Sequence, residues 1–257
     1  MKIQALLPMK DHSERLPSKN IRPFAGQPLF FHVLKTLLQS PYVNTVTVNT
    51  DSRSIAALAG RFSRVRIICR PEALCGDLVS MNDIIAHDLD CVPGEHFLQT
   101  HSTNPLLAVE TLNRAIEEYF SALAGYDSLF SVTRLQTRLY SDSGPLNHDP
   151  TKLERTQDLP PVFEENSNIY LFSRDSFNTT GRRIGARPKM FPMSRLEAMD
   201  IDEQDDFILA EALYKMKVAP SSRNQPHISP DTLFAGKVSQ TFPGIRFNES
   251  PHYGVAP

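Results

Sequence analysis

Cysteine is scarce in this chain and tryptophan is absent. Cys69, Cys75 and Cys91 are odd in number and show no C-x-x-C spacing, so neither a disulfide framework nor a zinc site is indicated, and half-buried or buried thiols are expected. No apolar run approaches the roughly 20 residues of a membrane-spanning helix. The first residues read as a strand rather than a signal h-region, so the expectation is a soluble cytoplasmic protein with no membrane partner. An excess of one charge is also missing: a net charge of -2 gives no global attraction to nucleic acid or to anionic lipid, and any positive field must be local. Neither G-x-x-x-x-G-K-[ST] nor G-x-G-x-x-G occurs. No G-x-S-x-G elbow or Cys-His-Asn arrangement argues for acyl transfer, and His12 and His101 lack a nearby second nitrogen ligand.

What is present is a chain with 40% hydrophobic content, enough to bury a sizeable core. Ile3 to Leu7 reads as a first strand. Apolar residues from Leu29 to Leu38 recur at helical spacing, and Pro28 suits a first turn, which predicts a helix over 27–40. A β-branched strand over Val43–Thr50 follows, then a helix capped by Asp51-Ser52, then a strand over Val65–Cys69. This βαβαβ order points to a parallel sheet of the nucleotide-binding type. A helix around Asp83–Asp90, a strand over His96–Gln99, a helix over Val109–Leu123 and a strand over Ser128–Thr133 come next. Residues 134–162 are too irregular for one core element and suit an excursion that packs on a second subunit. Strand character returns at Asn168–Phe172, and a last helix spans Gln204–Lys217. Residues 218–257 shift to Pro, Ser, Asn and Gly and predict a loosely ordered tail or interface arm beyond a domain of residues 1–217.

Two stretches carry chemistry. Residues 9–20 form a polar loop after the first strand, where open α/β sheets place ligands. Lys10, Arg15, Lys19 and Arg22 supply charge there, and Ser13, Ser18 and Asn20 supply neutral donors. That mixture suits a polyphosphate, although a basic solvated connector has the same composition. In the second stretch, Asp200-Ile201-Asp202, period-two geometry puts both carboxylates on one face while Ile201 points to the core. Paired carboxylates at that spacing suit Mg²⁺, and the alternative is that they cap the following helix, a role Asp205 and Asp206 fit better.

Eight segments in register resemble one family. They are Leu7-Pro8-Met9-Lys10 with Leu16-Pro17-Ser18-Lys19-Asn20, then Asn49-Thr50-Asp51, Arg70-Pro71-Glu72, Leu98-Gln99 to Leu106, Asp127 to Val132, Arg155-Thr156-Gln157, Asn166 to Tyr170, and Met199 to Phe207. The chain is similar to the cytidylyltransferases that activate acidic keto-sugars, the acylneuraminate (CMP-sialic acid) synthetases foremost, with the keto-deoxy-octulosonate and legionaminate/pseudaminate enzymes related. That resemblance implies a Rossmann-like α/β nucleotide-diphospho-sugar transferase fold with a mostly parallel mixed sheet, helices on both faces and a dimerisation excursion. It also implies a homodimer, and transfer of CMP from CTP to the anomeric hydroxyl of a 2-keto-3-deoxy sugar acid with Mg²⁺. By the same resemblance Lys10, Ser13, Arg15, Lys19 and Asn20 would hold the triphosphate, and Arg70 and Ser80 would flank the cytosine. Gln99, Arg155, Gln157, Asn166 and Tyr170 would meet the sugar. Asp200 and Asp202 would bind the metal, and Lys19 would join them in catalysis, with Asp200 the best candidate for a base.

Departures from the family pattern concern charge. Glu14 replaces a phosphate-contacting lysine, so Arg15 would supply that charge. Thr156 and Glu164 stand at positions usually basic, and an acceptor bearing an amino group, paired with Glu164 or Glu165, would account for the change. The alternative function is a nucleotide-binding regulator that has lost catalysis. A third reading is a nucleotidyltransferase of the same fold acting on a phosphorylated alcohol.

Overall fold

The computed structural model describes residues 1–218, and the proposed tail therefore lies outside the described residues. Its strands are β1 (Ile3–Leu6), β2 (Pro23–Phe24), β3 (Gln27–Pro28), β4 (Val43–Thr50), β5 (Val65–Cys69), β6 (His96–Gln99), β7 (Ser128–Leu135), β8 (Tyr140–Ser141), β9 (Gly144–Pro145), β10 (Val162–Ser173) and β11 (Pro188–Pro192). The helices are α1 (Phe30–Gln39), α2 (Arg53–Ala59), α3 (Met81–Cys91), α4 (Val109–Ala122), α5 (Arg174–Thr180) and α6 (Gln204–Val218).

Seven strands form one sheet in the order β11-β7-β10-β6-β1-β4-β5. The run β5, β4, β1, β6 is parallel, whereas β10 is antiparallel to both β6 and β7. Strand alternation divides the core by face. Ile3, Ala5, Val46, Val48, Leu98 and Leu171 pack with α1, α2 and α4, while Leu6, Phe97, Tyr170 and Phe172 pack with α3 and α5. The mostly parallel mixed sheet with helices on both faces is therefore the observed architecture.

Three boundaries differ from the sequence reading. Pro28 is not in a helix: Ala25 and Gly26 hold positive φ angles of 47° and 84° and close a two-residue hairpin between β2 and β3, so α1 starts at Phe30. β10 begins six residues earlier than expected, at Val162 instead of Asn168, and carries a bulge between Glu165 and Tyr170 that interrupts its alternation. Residues 174–192, to which the sequence assigns no element, contain α5 and β11, and β11 closes the far edge of the sheet.

A third, smaller apolar cluster matters most for function. Leu16 from the polar loop, Phe24 from the hairpin, Leu29, Ile201, Phe207 and Ala210 are buried together. Ile201 is fully buried, so the residue between the two aspartates fastens them to the cationic loop. Truncating it removes the contacts that hold two distant parts of the chain in one place. Ile201→Ala is expected to destabilise the fold by about 2–5 kcal/mol, read from the urea unfolding midpoint.

Candidate active site

The carboxyl ends of β1, β4 and β6 set the geometry. Met9 still pairs with Asn49 through its amide at 2.9 Å, and the chain leaves the sheet at Lys10. Arg70 fixes that exit point by donating to the Met9 carbonyl at 3.1 Å, the Asn49 carbonyl at 3.0 Å and Asn49 Oδ1 at 2.8 Å. Its guanidinium is thus a strut between β1 and β4 at the base of the proposed cytosine side.

Ser18 then adopts a left-handed conformation, φ 55°, and its carbonyl accepts from Ile21 and Arg22 amides at 3.1 and 3.0 Å, forming a short 3-10 turn. That turn places Lys19 and Asn20. Asn20 Nδ2 donates to the Lys10 carbonyl at 3.0 Å, and its oxygen accepts from Ser102 Oγ at 2.6 Å. Lys19 Nζ donates to the Ile201 carbonyl at 2.7 Å and lies 3.3 Å from Asp202 Oδ1. Arg15 reaches the same oxygen at 2.9 Å. The cationic loop and the aspartate segment, about 180 residues apart in sequence, therefore meet in space. Lys10 pairs instead with Asp77 from the loop after β5. Ser13 lies in the loop, half-buried, and Ser80 caps α3 by accepting from the Asn82 amide at 3.2 Å.

The aspartate segment is pinned from both sides. The Ile201 amide donates to the Thr103 carbonyl at 2.9 Å, and Asn104 donates to the Met199 carbonyl at 3.3 Å. Asp206 accepts from the amides of Asp202 and Glu203 at 3.0 and 2.8 Å, so the helix-capping role falls to Asp206 and not to Asp200 or Asp202. Burial pushes the Asp200 carboxyl above its usual range, opposed by the Thr103 hydroxyl. Asp200 Oδ1 is buried with no hydrogen-bond partner among the described residues. An orphaned carboxylate oxygen beside a second carboxylate fits a hard divalent cation that completes its shell from phosphate oxygens and water. Among the described residues no cluster of three or more His, Cys, Asp or Glu offers an all-protein cage.

Asp200 and Asp202 also line a cavity of about 460 Å³ with Thr133, Glu164, Glu165, Asn166 and Arg195. Asn166 clamps the β10 bulge by accepting from Ser131 Oγ at 2.5 Å and donating to Thr133 Oγ1 at 3.2 Å. Gln99 and Tyr170 are fully buried behind it. Both are held by Arg183, which donates to Gln99 Oε1 at 2.6 Å and stacks 3.6 Å over the Tyr170 ring. Tyr170 donates to Glu165, and burial, partly opposed by Arg183, raises its phenol to about 12. His101, 3.2 Å from the Arg183 guanidinium, stays neutral because burial and the Arg183 and Lys19 cations lower it to about 3. Arg183 is the member of this cluster that the sequence reading missed. No motif marks it in the sequence, and nothing local tells it from the neighbouring Arg182. Arg155 and Gln157 are not among the residues lining the cavity; Arg155 is exposed and pairs with Asp158 at 2.6 Å.

A second network supports the floor. Asn49 Nδ2 donates to Asp88 Oδ1 at 2.6 Å, and Asp88 is fully buried with Oδ2 unpartnered among the described residues. Burial, opposed by Asn49 and Arg70, raises this carboxyl to about 6 from 3.8. The folded state then holds a proton that the unfolded chain has released, so stability is fully present below pH 3.8 and declines as pH rises through about 6. The difference amounts to roughly 3 kcal/mol. Asp88→Asn is expected to abolish that part of the decline between pH 4 and 7, as measured by urea midpoints across the range.

A mostly parallel sheet with a cationic loop and paired carboxylates at the carboxyl ends of its strands defines an α/β nucleotide-binding protein. Residues 4–227 match a family model described as cytidylyltransferase, and the chain belongs to that family. It is 28% identical over 232 residues to a CMP-N,N'-diacetyllegionaminic acid synthase of Legionella pneumophila, covering 84% of this chain and 97% of that protein. It is 27% identical over 217 residues to an N-acylneuraminate cytidylyltransferase A of Danio rerio, covering 81% of this chain and 50% of that protein. The chain thus spans about half the length of some curated relatives it matches. A CMP:2-keto-3-deoxy-manno-octonic acid synthetase solved with CTP shares the fold at a TM-score of 0.62 and 14% identity, over 84% of this chain and 100% of that one.

Proposed function

We propose that the chain transfers CMP from CTP to the anomeric hydroxyl of a 2-keto-3-deoxy sugar acid of the nonulosonate type and releases pyrophosphate. The carrying observation is the contact by which Lys19 bridges the polar loop to Ile201 and Asp202. In this reading Lys10, Arg15, Lys19 and the Asn20 amide bind the triphosphate. Point cations and fixed donors of this kind neutralise charge on phosphoryl oxygens without reorganising. The acceptor hydroxyl attacks the α-phosphorus in line, the bond to pyrophosphate breaks, and Asp200 takes the hydroxyl proton directly or through water. Asp200 and Asp202 would hold Mg²⁺, which when bound supplies positive charge to the phosphates and acidifies a coordinated hydroxyl.

The N-acylneuraminate and legionaminic acid enzymes among the relatives support a sialic-acid-like acceptor. A homodimer is part of the same reading, supported by Tyr140, Leu146 and Leu153, which expose 63%, 63% and 95% of their surface on the excursion between β7 and β10. No helix among the described residues is long and apolar enough to cross a membrane. The test is pyrophosphate release with CTP, Mg²⁺ and a panel of sugar acids. Release with at least one acid, abolished by a chelator and restored by added Mg²⁺, is the expected result. No release with any acid would leave a nucleotide-binding regulator.

A further inference from the structure

The cavity beside the aspartate pair is crowded with negative charge. Glu164, Glu165, Asp200 and Asp202 line it, and Arg195 is the only base lining it among the described residues. Three of the four carboxylates are accounted for or have a proposed role. Asp202 meets Lys19 and Arg15, Glu165 receives the Tyr170 hydroxyl and lies 3.7 Å from Arg183, and Asp200 faces the proposed metal. The side chains of Glu164 and Arg195 have no hydrogen bond or ion pair among the described residues, although both line the cavity.

An acceptor that brings a carboxylate into this space meets like charge on several sides, and each such contact costs on the order of 1–4 kcal/mol at 4 Å. One cation is placed to offset it. Arg195 stands in a turn fixed by the Ala198 amide on the Ser194 carbonyl at 2.9 Å and by Asn168 on the Glu197 carbonyl at 2.8 Å, so the backbone carrying it is held in place. A guanidinium offers a carboxylate two parallel donors. Glu164 is then left as the unmatched charge at the same cavity.

We propose that Arg195 anchors the acceptor's carboxylate and that Glu164 accepts from an amino group on the same acceptor. The acceptor class is a sugar acid bearing both groups. The inference rests on the proposed reaction for its substrate and adds the residues that select it.

The experiment follows turnover and binding in parallel. Pyrophosphate release and calorimetric binding are measured with 2-keto-3-deoxy-manno-octonic acid, its 1-carboxamide and an amino-substituted sugar acid, using the wild type, Arg195→Ala, Arg195→Lys and Glu164→Gln. Arg195→Ala is expected to raise acceptor KM and Kd about 30- to 100-fold while KM for CTP stays unchanged. Arg195→Lys recovers part of the loss, and the carboxamide binds wild type and Arg195→Ala alike. Glu164→Gln removes a preference for the amino acceptor. An unchanged acceptor KM in Arg195→Ala, or equal losses for acid and carboxamide, overturns the anchor while the proposed reaction stands. A wild type that prefers no amino acceptor overturns the Glu164 assignment. If wild type turns over no acid at all, the reaction fails; Arg195-dependent binding of the acid would still support the anchor, and its absence would overturn that too.

Discussion

Lys19→Ala is expected to lower kcat/KM for CTP by about 10²- to 10³-fold, the usual loss when one preorganised charge-stabilising donor is removed. Its side chain is only 13% exposed, in contrast to 58% for Arg15, so its charge acts from an enclosed position that water cannot replace. The ammonium is also held by the Ile201 carbonyl at 2.7 Å, which fixes its direction before any nucleotide arrives. Lys19→Arg is expected to restore little, because a planar fork does not fit a position shaped around a compact ammonium. Steady-state kinetics with CTP as varied substrate, alongside thermal melts to show an intact fold, decide the matter. A variant retaining a third or more of wild-type kcat/KM would remove Lys19 from the phosphate cradle.

Asp200→Asn is the second large effect, a fall in kcat of about a thousandfold or more if several kcal/mol of metal-assisted charge stabilisation are lost. This substitution is more informative than Asp202→Asn. Asp202 already pairs with Lys19 and Arg15, so its loss would also disturb both cations, whereas Asp200 Oδ1 has no hydrogen-bond partner among the described residues. The Mg²⁺ activation curve gives the decisive readout: the midpoint should move to higher concentration in Asp200→Asn. An unchanged midpoint with unchanged kcat would take the metal role away from Asp200.

Local pattern made much of this arrangement legible. The β-branched run from Val43 to Thr50, the Ser52 cap and the helical spacing of α4 each state their element without help from tertiary contacts. The cationic loop and the twin aspartates were also readable, because a buried Ile201 between two acids obeys strand alternation. What escaped was set by distant partners. Ala25 stands where Asn or Asp would announce a tight hairpin, and Glu211 of α6 helps hold it by accepting the Ala25 amide at 2.7 Å. The β10 bulge depends on Ser131 and Asn166 meeting across strands, a contact no periodicity encodes. Gln99, Tyr170 and Arg183 form one stack only because β6, β10 and the turn after α5 converge. Arg195 had no motif at all; its relevance lies in being the sole base, among the described residues, that lines an acidic cavity.

Lys10 pairs with Asp77, and Arg15 and Lys19 share Asp202, so two carboxylates offset part of the charge of these three loop cations at rest. A triphosphate therefore enters by exchange: internal carboxylates are displaced as phosphate oxygens take their places, and few counterions leave for the solvent. Affinity for CTP should accordingly fall less steeply with added potassium chloride than three exposed cations would dictate, with Asp77→Asn tightening binding at low ionic strength and steepening that dependence.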